Sequence, residues 1–281
     1  MSDDLRDVIF QSIAGRIFVA EIRVTTSGTV SGVEMACRKA EEAGCAVLRH
    51  IEDAAFADAH EPVLVISGPP KAIAIAEDCV PGAIAKPSGI ARAARRAQEL
   101  AGDKVRVVSG AAKKFPLEIK DQVRRAIHKG GGSGRIAPPP FVYLDKNYVR
   151  MFGGVRRTLE GISGMEGYTR AIQLRGLVQD IAEETRIALE FGAEILMVDT
   201  GRLEDLETVA AIVRAAGRRA QTTIAFSGDI GLDHIPQIAS GYDVDVLDIG
   251  RAVIDAPMVD VKFDVVDEAR SDTPTSNSSS V

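Results

Sequence analysis

The chain has 281 residues, enough for two domains or one large α/β unit, with an ordinary globular composition of 46% hydrophobic and 26% charged residues. Its net charge of −6 gives no support for a general nucleic-acid binder, which needs a basic surface. Net charge averages over the whole surface, so a local basic pocket stays open.

The N-terminus Met1-Ser2-Asp3-Asp4 is acidic and lacks the apolar core of a secretory signal. No run approaches the ~20 apolar residues that span a bilayer. A cytoplasmic protein is expected, with no membrane and no nucleic-acid partner. Cys37, Cys45 and Cys79 form no CxxC pair and are expected to be idle thiols in a reducing compartment.

In the first ninety residues, Ile17–Val24 is short, apolar and β-branched, and Thr25–Gly32 supplies turn chemistry. Val33–Ala43 carries apolar residues at helical spacing, with Gly44 as its stop. Ala46–Leu48 and Val63–Ile66 read as further short strands. Together they make a small α+β unit. From Lys104 the pattern becomes strand, loop, helix, repeated. The predicted strands are Val105–Val108, Phe141–Leu144, Ala171–Leu174, Ile195–Val198, Thr222–Phe226 and Val244–Ile249. Helices are predicted at Asp121–Lys129, Ala182–Phe191, Leu203–Ala216 and His234–Ala239. Such alternation argues for parallel strands with crossover helices, in a closed or nearly closed six-stranded barrel. An open doubly wound sheet is the alternative. Arg270–Val281 is polar and serine-rich and reads as a flexible tail.

In a parallel barrel the working face lies at the carboxyl ends of the strands, and the last two loops often bind phosphate. Here those loops are Ser227-Gly228-Asp229-Ile230 and Gly250-Arg251-Ala252. Small residues let backbone N–H groups approach an anion, and Arg251 adds a charge-assisted contact. Asp229 would repel a phosphate unless it turns outward or pairs with a cation. Asp199 ends the apolar run Ala193–Val198 and is a candidate for holding Mg²⁺ or a ribose hydroxyl, or else for capping the next helix. Lys113 and Lys114 follow the first strand, and Gly130-Gly131-Gly132-Ser133-Gly134-Arg135 precedes the second. A glycine-rich loop between cations can wrap a pyrophosphate, although flexible linkers look alike. Lys146 lies just beyond the second strand, beside Asp145, with which it could simply form a surface ion pair.

These residues, in this order, resemble the quinolinate phosphoribosyltransferase family, the carboxylating nicotinate-nucleotide pyrophosphorylases. The likeness covers roughly residues 28–266. Its most specific stretches are Phe226–Ile235 with Val244–Gly250, and Gly192–Asp199, which is similar to the family's G-A-D-I-I-M-L-D. Ser88-Gly89-Ile90-Ala91 closes a segment that opens at Glu77. The resemblance implies an N-terminal α/β sandwich domain (residues 1–90), a six-stranded α/β barrel (91–262) and a C-terminal strand and tail (263–281). It also implies a homodimer whose sites are completed by the partner's N-terminal domain. The implied reaction joins a pyridine dicarboxylate to phosphoribosyl pyrophosphate, with loss of pyrophosphate and CO₂, assisted by Mg²⁺.

The departures fall on charged positions. Asp78 and Ala112 stand where the resemblance implies arginines, Ser133 and Gly134 replace histidines, and Gln173 and Arg175 lie in the stretch that replaces the acidic Glu-Val-Glu strand. Asp229 replaces the second glycine of S-G-G. Each lost charge-assisted hydrogen bond removes ~1.5–3 kcal/mol, so quinolinate is not the expected acceptor. The expected function is phosphoribosyl transfer to a different acceptor. Lys113, Lys146 and Asp199 are the expected catalytic residues, with Asp199 also the Mg²⁺ ligand. Arg135, Ser227, Gly228, Gly250 and Arg251 are expected to bind phosphate and ribose, and Lys114, Gln173 and Arg175 to contact the substrate. A non-catalytic phosphate-binding barrel, or an aldolase or lyase using Lys113 or Lys146 as a Schiff base, are the alternatives.

Overall fold

The computed structural model describes residues 4–268. The elements run α1 (Leu5–Ile9), β1 (Phe18–Val24), β2 (Gly28–Thr29), α2 (Val33–Glu42), β3 (Ala46–His50), β4 (Phe56–Ala57), β5 (Pro62–Gly68) and α3 (Pro70–Ala101). Next come β6 (Arg106–Val108), α4 (Leu117–Lys129), β7 (Phe141–Leu144), α5 (Lys146–Phe152), α6 (Val155–Glu160), β8 (Thr169–Leu174) and α7 (Ile181–Glu190). The chain finishes with β9 (Ile195–Asp199), α8 (Leu203–Ala215), β10 (Thr223–Ser227), α9 (Ile235–Gly241), β11 (Val246–Asp248), α10 (Arg251–Ile254) and β12 (Val261–Glu268). Two compact units result: residues 4–89 with 257–268, and Ile90–Ala256. The tail at Arg270–Val281 lies outside the described residues. Among the described residues no helix is long and apolar enough to cross a membrane.

In the first unit an antiparallel sheet has the order β12-β1-β5-β3. Period-two alternation puts Ala20, Ile22 and Val24 of β1 on the face that also carries Leu64 and Ile66 of β5. That face shares one buried cluster with Val33, Ala36 and Ala40 of α2 and with Ala76, Val80 and Ile84 of α3. The C-terminal strand begins at Val261, earlier than the expected 263, because every residue from Val261 pairs with β1 or lies in its bulge. The preceding segment, from Pro257, belongs with this sheet rather than with the barrel.

Sequence reading marks no helix where α3 runs, and Pro81 and Pro87 explain why. Each proline removes an intrahelical hydrogen bond and costs about 3 kcal/mol in a helix interior. Alanine-rich packing offsets this: Ala72, Ala76 and Ala83 enter the first unit's core, and Ala94, Ala97 and Ala101 enter the second unit's.

In the second unit six parallel strands take the order β6-β11-β10-β9-β8-β7. Apart from the β6–β11 pair, every pair of sheet neighbours is also a pair of sequence neighbours, with no reversal of direction, so the doubly wound alternative is excluded. The burial pattern adds curvature. Val108, Tyr143, Ala171, Met197, Ala225 and Val246, one from each strand, belong to a single apolar cluster, which requires the sheet to wrap around them. The alternate residues Val107, Leu144, Ile172, Leu196, Phe226 and Leu247 pack outward in a separate cluster with the helices. The edge strands β6 and β7 share no ladder among the described residues. Beside β6 the loop carries Ser133, bridged in parallel to Val108, and Ile136 and Ala137 complete the inner cluster. This is the expected six-stranded α/β barrel.

Gly32 ends the turn into α2 at φ 92°, and a Cβ there would lie 2.0 Å from the Ala83 carbonyl oxygen. Left-handed strain and a backbone clash add. Gly32→Ala is expected to destabilise the protein by on the order of 2 kcal/mol or more, read as a lower Tm in a thermal melt.

Candidate active site

The inward alternation places Gln173 near the end of β8, and Asp199, Ser227 and Asp248 at the ends of β9, β10 and β11. Asp199 and Ser227 are register partners. These residues form the rim of the barrel at its carboxyl end.

Gln173 joins two sides of this rim. Its Oε1 accepts from the Lys146 backbone N–H (2.6 Å), and its Nε2 donates to Asp199 Oδ2. Arg175 Nη1 donates to the same Asp199 oxygen at 3.0 Å. Glutamate at 173 would offer no N–H to Asp199. Glutamine is the acid's near-isostere that satisfies both neighbours. Asp199 does not cap α8, whose N-terminus has no side-chain cap.

A divalent cation at Asp199 would have to displace Arg175 from the carboxylate. Among the described residues no group of three or more His, Cys, Asp or Glu side chains is arranged to hold a metal ion. Mg²⁺ at Asp199 would therefore compete with Arg175 and take its remaining ligands from substrate phosphates and water.

Asp248 and Tyr143 are site residues the sequence reading missed. Asp248 Oδ1 accepts the Gly110 N–H at 3.0 Å, which ties β11 to the 3-10 turn Gly110–Lys114. Burial pushes the Asp248 carboxyl above the usual carboxylate range. The Gly110 N–H opposes this, Asp199 reinforces it, and Lys113 and Lys114 pull it back down. The side chain is mostly enclosed by protein, and the residue stays only partly accessible to solvent. Tyr143 is raised as well, first by burial and then by Asp248, Asp199 and Asp145, with Arg175 opposing. Counting β11 by twos from Val246 would have found Asp248; drawing the strand through Ile249 drew attention to Gly250 instead.

Lys113 and Lys114 are exposed on their turn, while Ala112 beside them is packed in the outer core. Lys146 opens α5, and Asp145 caps that helix by accepting from Asn147 N–H at 2.8 Å and more weakly from Tyr148 N–H. The Asp145 side chain is thus engaged as a cap rather than in the ion pair weighed for it.

The glycine loop is shaped by packing: a Cβ on Gly130 would lie 2.2 Å from the Ala91 carbonyl oxygen. Arg135 is exposed beyond it. Gly228 has a similar explanation. A Cβ there would lie 2.1 Å from Gly201 N, and Gly201 N–H donates to the Ser227 carbonyl. Ser227 Oγ donates to the Asp248 carbonyl at 3.3 Å. Gly250 precedes α10, and a Cβ there would make only ordinary contact with Ala111 Cβ at 3.9 Å. Arg251 forms a two-pronged pair with Asp229, Nε to Oδ1 at 3.0 Å and Nη2 to Oδ2 at 2.8 Å, both side chains exposed. Asp78 pairs with Arg6 in the first unit.

Burial raises Asp248, so the folded chain keeps a proton that the unfolded chain releases. This group's contribution is full below its unfolded value, near 3.8, and is lost as pH rises through the raised value. Asp248→Asn is expected to raise Tm at neutral pH, with the difference vanishing near pH ~3. Melts of both proteins across pH check this.

The profile of the quinolinate phosphoribosyl transferase C-terminal domain matches residues 90–264, and that of its N-terminal domain matches residues 7–88. A probable carboxylating nicotinate-nucleotide pyrophosphorylase of Methanothermobacter thermautotrophicus is 24% identical over 255 residues, 89% of each chain. The human carboxylating nicotinate-nucleotide pyrophosphorylase is 26% identical over 200 residues, 70% of this chain and 65% of its own. The crystal structure of NadC from Streptococcus pyogenes superposes with a TM-score of 0.78 at 19% identity, covering 96% of this chain and 92% of that one. That likeness speaks to the fold. With both domains matched in order across nearly the whole described length, the chain belongs to the quinolinate phosphoribosyl transferase family.

Proposed function

We propose that this protein transfers a phosphoribosyl group from phosphoribosyl pyrophosphate to an acceptor other than quinolinate. The observation that carries the reading is the composition of the barrel mouth. Asp199 is engaged by Gln173 and Arg175, a second carboxylate stands at Asp248, and Ala112 is sunk in the outer core. A pyridine dicarboxylate entering here meets two carboxylates and loses the arginines that the family resemblance implies at 78 and 112. Family membership supports the donor, and the relatives' names, carboxylating nicotinate-nucleotide pyrophosphorylases, describe the same type of transfer.

In this reading Lys113, Arg135 and Lys146 hold the pyrophosphate, Asp199 orients ribose hydroxyls, and Lys114, Gln173 and Arg175 face the acceptor. Ser227, Gly228, Gly250 and Arg251 receive the 5′-phosphate. Catalysis then rests on holding the donor and stabilising the departing pyrophosphate with fixed cations. The protein works as a homodimer, as in the family resemblance. One observation favours the non-catalytic reading: Arg251 is already neutralised by Asp229.

Calorimetry is expected to show phosphoribosyl pyrophosphate binding and no quinolinate binding at micromolar concentrations. Micromolar quinolinate affinity would overturn the acceptor assignment. The Arg251–Asp229 pair makes a second expectation. A phosphate must compete with Asp229 for the guanidinium, and Asp229 sits at φ 61°, which glycine accepts without strain. Asp229→Gly is expected to tighten inorganic phosphate binding, and Arg251→Ala to weaken it about tenfold or more. Unchanged affinity in both variants would place the phosphate elsewhere.

A further inference from the structure

Two carboxylates face into the mouth, and they are not equivalent. Asp199 Oδ2 already accepts from Gln173 and Arg175. Asp248 has one hydrogen-bond donor among the described residues, the Gly110 N–H on Oδ1. Its second oxygen accepts from no donor among the described residues, at a partly exposed position at the end of β11.

The charged and titratable groups facing Asp248 come from every neighbouring element. Asp199 approaches from β9, Lys113 and Lys114 from the turn after β6, and Tyr143 from β7, with Arg175, just beyond β8, beside Asp199. Burial and Asp199 strengthen the hold of Asp248 on a proton, while the two lysines and Gly110 keep ionisation within reach. A carboxylate of this kind takes up a proton more readily than an exposed one. Nothing in a transfer to pyridine requires that: a pyridine nitrogen attacks through a lone pair and has no hydrogen to lose.

We infer that Asp248 is the general base of the transfer, and that the acceptor attacks through a nitrogen, oxygen or sulfur that carries a hydrogen. This rests on the phosphoribosyl-transfer reading and narrows its acceptor class. In the step, the bond between C1 of the ribose and the pyrophosphate oxygen breaks, and its electron pair leaves with pyrophosphate. A lone pair of the acceptor atom forms the new bond to C1, and the hydrogen of that atom passes as a proton to Asp248 Oδ2. Water removes the proton after product release. Lys113 and Lys114 flank both events: Lys113 faces the departing pyrophosphate, Lys114 faces the acceptor, and both favour the return of Asp248 to its ionised form.

The test measures donor binding and turnover separately. Phosphoribosyl pyrophosphate binding is followed by calorimetry. Pyrophosphate release is followed with water alone, with aromatic amines, N–H azoles and phenols, and with the proton-free pyridines nicotinate and quinolinate. The wild type is expected to prefer the acceptors that carry a hydrogen, with an acidic limb in its pH–rate profile. Asp248→Asn is expected to keep donor Kd within about threefold, lose on the order of a hundredfold or more in turnover, and lose the acidic limb. Asp248→Glu is expected to restore part of the rate together with that limb, which a purely structural role would not produce. Undiminished turnover by Asp248→Asn, or a preference for proton-free pyridines, would overturn the assignment. Donor binding without pyrophosphate release to any acceptor would also overturn it while leaving the donor site standing. Failure of the wild type to bind the donor refutes the phosphoribosyl-transfer reading instead.

Discussion

A barrel of six strands is narrow, and everything at its mouth answers to that narrowness. The inner cluster sets small Ala171 and Ala225 against larger Met197 and Tyr143, while the alternating Ile172 and Phe226 pack outward. Strand alternation then forces the next inward residues, Gln173, Asp199, Ser227 and Asp248, into one small ring. Polar groups packed this closely cannot be chosen independently. Each must supply what its neighbour lacks, because an unsatisfied polar group in such a site is expensive.

Gln173 and Arg175 illustrate this coupling. The family resemblance implies carboxylates in this stretch, and an acidic ring gathers cations. Here an amide and a guanidinium meet the one remaining aspartate on that side, and the local charge is balanced within the protein. The same economy appears at the rim, where Arg251 is answered by Asp229. A site organised around internal pairs selects ligands by displacement: whatever binds must offer Arg175 or Arg251 a better partner than the aspartate each already has.

Much of this was legible in the residues. Near-continuous apolar runs ending in Leu144, Leu174, Val198 and Phe226 marked strands that the structure reproduces to within two or three residues, because a strand buried on both faces is apolar throughout. Asp199 stood out as the first charge after such a run. The long helix at Pro70–Ala101 did not, because two prolines and scattered glycines mask a packing interaction that only tertiary structure supplies. Asp248 was hidden for a different reason. Its strand is only three residues long, and the adjacent Ile249 and Val244 extend the apolar pattern past both true ends. The glycines at 130 and 228 stood out as ligand-binding candidates, and the close backbone approach to Ala91 and Gly201 that also requires glycine there shows only in the fold.

The return of β12 to the first sheet has a consequence for how the chain comes to be folded. The sheet begun by β1 is finished only by residues 261–268, so the first unit is discontinuous in sequence and encloses an uninterrupted second one. During synthesis every strand of the barrel emerges before the edge strand that β1 awaits. Until then β1 presents an unpaired ladder edge to solvent, the kind of surface that invites pairing with another chain. The barrel, by contrast, has all of its strands in hand and can close first. The order of assembly thus runs against the order of the sequence: the domain that starts the chain is the last to be completed.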